Sequence, residues 1–132
     1  MAQITGDKYE LEYRASENTL FVKVWGFYLP DDAMAFIRDY GTETQKLIPE
    51  KTSLVIDSIG LKTSKPEAKV LLIECLKLYM QLAYKNRVFI KSESPTANMM
   101  IKSAMKEAGM VEGKDGIFLD NMSLIEDYIK TH

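Results

Sequence analysis

Five consecutive residues, Ser53-Leu54-Val55-Ile56-Asp57, carry an unbroken apolar centre with no polar alternation. A strand that is apolar on both sides has to be covered on both faces, which demands a sheet packed between other elements. The flanking sequence supplies them. Pro30-Asp31-Asp32 opens a helix, with proline in the first turn and carboxylates at the positive end of the dipole. Ala33, Phe36, Ile37, Tyr40, Thr44 and Leu47 follow on one face at helical spacing. Gly41 weakens that helix by ~1 kcal/mol relative to alanine, and Pro49 ends it. Beyond the central run, Pro66 and Glu67 open a second helix reaching to about Tyr84, and Arg87-Val88-Phe89-Ile90-Lys91 reads as a strand. Ser94-Pro95 is an N-cap followed by proline at the first helical position, and Gly109 closes the helix that runs from Ala97 to Ala108. Ile117-Phe118-Leu119 predicts a short strand, and a last helix runs from about Ser123 to Lys130.

Upstream of the first helix the period changes to two. Tyr9, Leu11 and Tyr13 alternate with Glu10, Glu12 and Arg14, and Leu20, Val22 and Val24 alternate with Phe21, Lys23 and Trp25. Ser16-Glu17-Asn18 links the two segments as an antiparallel hairpin, which Gly26 closes. The order is therefore β-β-α-β-α-β-α-β-α. It predicts an α/β fold, a mostly parallel four- to five-stranded sheet with an opening hairpin and helices packed on it. At 132 residues the chain is expected to form a single domain, 1–132.

Composition narrows the chemistry. Seventeen basic and nineteen acidic residues leave a formal charge of −2, so nothing draws the chain to nucleic acid. The one cysteine, Cys75, rules out an internal disulfide, and the one histidine, His132, is the last residue. Histidine-based triads and multi-cysteine metal sites are thereby excluded, and neither a metal nor a cofactor is expected. The segment Met1 to Tyr9 lacks a signal pattern, and the apolar stretch Val70 to Ala83 is interrupted by Glu74, Lys77 and Gln81. The expectation is a cytoplasmic chain with no integral membrane segment.

The strand-loop-helix from Leu54 to Leu82, the strand Arg87 to Lys91 and the helix with its tail from Ala97 to Met110 resemble a STAS domain. The segment Met100 to Met110 is similar to that family's third helix, which ends in a glycine and an apolar residue before the last strand. Over roughly residues 8 to 130 the chain resembles the small stand-alone SpoIIAA-like proteins, related to anti-sigma factor antagonists. That resemblance implies a regulatory, protein-binding role. Anti-sigma antagonists carry an Asp-Ser-Ser-Gly-like motif, with a phosphorylated serine, at the start of the second helix. Aligning on Leu54-Val55-Ile56 places Lys65-Pro66-Glu67-Ala68 there, without a phosphoacceptor. A slipped register puts Ser64 in that role.

In open α/β sheets ligands sit beyond the carboxyl ends of the strands. That edge collects the Gly26–Pro30 and Asp57–Ser64 segments and the helix starts at Pro30, Pro66 and Pro95, where Lys62, Lys65 or Lys91 would suit an anion if these are more than ordinary caps. Ser58 beside Asp57 lacks a histidine base, and phosphate-loop and dinucleotide patterns are missing, so the chain is not expected to be an enzyme. The second helix is more apolar than one sheet can cover. Its polar residues Lys69, Glu74, Lys77, Gln81 and Lys85 form only a narrow strip. The surplus faces a neighbouring helix, a second copy, a ligand or a partner.

These readings predict a non-enzymatic regulatory or protein-binding module, with a protein partner or a homodimer. It would act through Ser58, Lys62, Thr63, Ser64 and Lys65 in the loop and Leu72, Leu76 and Met80 on the helix. The alternative is a carrier of a small apolar or amphipathic ligand, held between the sheet and the second and third helices. Trp25, Phe27 and Tyr28 would then line the mouth, and Cys75 would be an inert core thiol.

Overall fold

Six strands stand side by side in chain order in the computed structural model, which describes residues 2–62 and 66–132. They are β1 (Ala2–Thr5), β2 (Tyr9–Arg14), β3 (Thr19–Gly26), β4 (Ser53–Leu61), β5 (Asn86–Ile90) and β6 (Ile117–Leu119). The β1–β2 and β2–β3 pairs are antiparallel, and the three later pairs are parallel. Helices α1 (Pro30–Thr44), α2 (Pro66–Met80) and α3 (Pro95–Ala108) connect the parallel strands, and α4 (Met122–Thr131) follows β6. The fold is α/β.

Each parallel step moves one strand in the same direction. Right-handed crossovers then place all three connecting helices on one face. The register fixes what they cover: Ile4, Leu11, Val22, Ile56, Phe89 and Phe118 form one row across all six strands. Against this row pack Phe36 and Tyr40 of α1, Leu76 and Tyr79 of α2, and Ile101 and Met105 of α3. Aromatic rings knit the layer together. Phe36 meets Tyr9 edge-on at 5.5 Å and Tyr79 at 6.3 Å, and Tyr40 meets Tyr79 at 5.4 Å. On the reverse face α4 buries Ile125 against Val55, Val88 and Ile90. The continuous apolar run of β4 is thus covered from both sides.

The sheet departs from the expected four to five strands in two places. Ala2–Thr5 adds a sixth strand, and β4 continues to Leu61 where a loop from Ser58 was expected. Helix α2 stops at Met80 rather than about Tyr84. The Arg87 side chain helps to end it, donating from Nε to the Tyr79 carbonyl at 3.1 Å and from Nη2 to that of Leu82 at 2.6 Å. Its Nη1 reaches the Asp115 carbonyl at 3.2 Å, so one guanidinium ties α2 to the segment before β6. Among the described residues no helix is long and apolar enough to cross a membrane.

Candidate functional site

The site begins with an irregularity in β4. Lys23 pairs with Asp57, yet Trp25 pairs with Gly60, so β4 carries one residue more than β3 over the same span. This is a β-bulge, a device that re-aims side chains. Asp57 Oδ1 accepts the Ile59 N–H at 3.0 Å and holds the bend. Gly60 fits because a Cβ there would lie 3.0 Å from the Trp25 Cβ. With the strand so extended, Ser58 and Leu61 both turn in under α2 and are buried.

Between them and the helix lies a cavity of about 50 Å³. Val24, Ile56, Ser58, Leu61 and Phe89 form its floor. Its roof is the inner stripe of α2, with Ala68, Leu72, Cys75 and Tyr79 succeeding one another at three- and four-residue spacing. Tyr28 and Ile101 close the sides. The space holds a few water molecules or a short hydrocarbon segment.

Its polar groups are few and specific. Tyr28 is committed, its hydroxyl donating to the Lys8 carbonyl at 2.6 Å. Ser58 is 5% exposed and Tyr79 4%, yet among the described residues neither hydroxyl has a hydrogen-bond partner. No sealed polar side-chain atom is left unpaired among the described residues, so both of these oxygens keep some accessible surface. Among the described residues no charged side chain lines it. Desolvation pushes the Cys75 thiol up to about 12 and the Tyr79 hydroxyl well above its ordinary value, so both stay protonated at neutral pH.

The carboxyl edge of β4 is pinned. The Ser92 hydroxyl donates to the Leu61 carbonyl at 2.7 Å, and Asn98 clamps the Ser92 backbone at 2.7 and 2.8 Å. Around the same edge several apolar side chains stand in solvent. Phe27 and Leu29 lead into α1, while Met34, Val70 and Met99 are each the fifth residue of their helix. Lys91, at the end of β5, pairs with Asp120 at 3.5 Å.

Of the residues singled out from sequence, Ser58, Leu72 and Leu76 line the cavity together. Leu76 is buried in the core, and Leu72 and Met80 are half-buried against it, so these side chains are turned inward rather than forming an exposed face. The surplus apolar surface of α2 is spent on the sheet, on its neighbours α1 and α3, and on the cavity; Val70 alone of its large apolar side chains is exposed. Lys62 is exposed, its N–H bonded to the Gly26 carbonyl at 3.0 Å. Thr63, Ser64 and Lys65, the phosphoacceptor position included, lie outside the described residues. Trp25 is not at the cavity mouth. It lies on the opposite face, beside Lys23, because side chains alternate along β3 and Val24 takes the helix side.

Tyr79 escaped the sequence reading. The signal was present: Ala68, Leu72, Cys75 and Tyr79 form one helical stripe in which an otherwise apolar face carries a thiol and a hydroxyl. Among the described residues no group of histidine, cysteine and carboxylate side chains could hold a metal ion. Comparison with known protein-family models and with curated proteins gives no match.

Proposed function

We propose that this chain is a binding protein for a small apolar or amphipathic molecule, seated between the sheet and helices α2 and α3. One observation carries the reading: two buried residues, Ser58 and Tyr79, line an apolar cavity, and their hydroxyls have no protein partner among the described residues. Both oxygens keep some accessible surface, so water or the polar group of a ligand can meet them. Apolar pockets with a few convergent polar groups are the usual form of small-molecule sites. Catalysis is not part of the proposal. Among the described residues Ser58 has no ionised base in the cavity wall to activate it.

A second reading, a regulatory protein-binding module of the SpoIIAA-like kind, draws support from a different feature. Phe27, Leu29, Met34, Val70 and Met99 stand exposed near the carboxyl edge, and clustered apolar side chains mark interaction surfaces. Native mass spectrometry of gently purified protein, paired with a denatured spectrum of the same sample, separates the two. An adduct of small-molecule mass that is lost on denaturation supports the ligand carrier. A bare dimer, or a bare monomer that takes up no apolar compound on incubation, contradicts it and leaves the protein-binding module.

A further inference from the structure

A cavity wall selects its ligand by what it lacks as much as by what it offers. The wall around Ser58 and Tyr79 offers two hydroxyls, each able both to donate and to accept. Among the described residues it lacks any ammonium, guanidinium or carboxylate. A carboxylate or phosphate brought inside would lose its hydration and gain no countercharge, whereas a carbonyl, hydroxyl or amide would exchange one hydrogen bond for another.

Building on the ligand-binding reading above, we infer that the ligand is an uncharged amphiphile, such as an alcohol, ketone, ester or amide on a short hydrocarbon arm, whose polar groups are met by Ser58 and Tyr79. The hydrocarbon packs along Ile56, Leu72 and Phe89, and the hydroxyls of the wall discriminate neutral head from anion. The Tyr79 hydroxyl keeps its proton across the neutral range because burial disfavours its ionised form. The preference therefore does not change between pH 6 and pH 9 (roughly, the range in which neither tyrosine nor serine titrates).

The test is an NMR titration of the full ¹⁵N-labelled chain with 1-butanol and, separately, with butyrate at a pH where its carboxylate is ionised; both are short enough for a cavity of this size. A parallel sample under xenon pressure reports on the cavity without calling on the hydroxyls. The expected result is that 1-butanol shifts the amides of Ser58, Leu72 and Tyr79 with a Kd at least about tenfold below that of butyrate. Ser58→Ala and Tyr79→Phe should each weaken 1-butanol by about two- to tenfold while leaving xenon binding intact. Butyrate binding as tightly as 1-butanol overturns the neutral-ligand assignment and leaves the cavity as a site for acids. Xenon binding without 1-butanol binding also overturns it. Failure of both xenon and 1-butanol to bind overturns the ligand-carrier reading underneath. The comparison on the wild-type chain stands even if a variant fails to fold.

Discussion

Removing the Tyr79 hydroxyl should make the ligand-free protein more stable. A buried hydroxyl without a partner costs about 1–3 kcal/mol relative to a paired one, and water in the cavity recovers part of that. Tyr79→Phe keeps the ring, and with it the packing on Phe36, Tyr40 and Phe89. The net gain is expected to be about 1 kcal/mol. With an unfolding entropy of about 2.1 cal/mol/K per residue, a chain of 132 residues converts that into a rise in Tm of about 3–4 °C. The neighbouring tyrosine provides the opposite case. Tyr40 and Tyr84 share a hydrogen bond of 2.5 Å between their hydroxyls, in a buried setting. Tyr40→Phe strands the Tyr84 hydroxyl and should cost about 1–3 kcal/mol, whereas the double variant Tyr40→Phe/Tyr84→Phe removes both ends and should recover most of the loss. Urea denaturation of protein stripped of ligand by unfolding and refolding gives all four free energies from one type of curve. If Tyr79→Phe loses 1 kcal/mol or more, its hydroxyl is bonded in the native state and the reasoning about the cavity fails.

Three further outcomes follow from the packing. Arg87→Met removes donors to three carbonyls and should cost about 2–3 kcal/mol in urea melts; Arg87→Lys, a point charge without the planar fork, should recover less than half. Gly116→Ala would set a Cβ 2.7 Å from the Phe89 ring and should destabilise by about 1–3 kcal/mol in thermal melts, with a neutral result showing that the ring has room to move. Asp32 is the carboxylate at the start of α1. The Lys8 ammonium, at 2.7 Å, and the Leu29 N–H, at 2.9 Å, hold it below the ordinary carboxylate range. A carboxylate whose folded pKa is depressed contributes stability above its unfolded pKa and loses it as pH falls through the folded value. Asp32→Asn should therefore cost about 0.5–1 kcal/mol at pH 7, with wild-type and variant stabilities converging below about pH 3; a gap that persists at low pH would mean that charge is not the source.

What could be read from the sequence follows the reach of its local signals. The β2–β3 hairpin was legible because Leu11 and Val22, or Tyr9 and Val24, announce their shared face by strict alternation, and they are register partners. The starts of α1, α2 and α3 were legible because proline, aspartate and the Ser94 cap act within one turn. Strand β1 was not. Ala2-Gln3-Ile4-Thr5 is too short to show a period, and it becomes a strand by pairing with a hairpin that already exists. The second half of β4 was lost for a related reason: the bulge at Ser58-Ile59 breaks the pattern, and Gly60 mimics a turn although it is there to admit Trp25. The cavity depends on that second half of β4. Its wall draws on β3, β4, β5, α2 and α3, and only the register brings Ser58 across from Tyr79, twenty-one positions along the chain. The apolar surplus of α2 was plain in the sequence. Its division among the sheet, two flanking helices and a cavity depended on all three crossovers landing on one face.

The most direct test of the central claim is a crystal of the wild-type chain under xenon pressure. Xenon enters apolar cavities without needing hydrogen bonds, so it reports the space itself. The account predicts an ordered xenon atom between Ile56, Leu72 and Phe89, within van der Waals reach of the Ser58 and Tyr79 side chains. An empty, tightly closed core at that place, with the two hydroxyls bonded to protein, would contradict it.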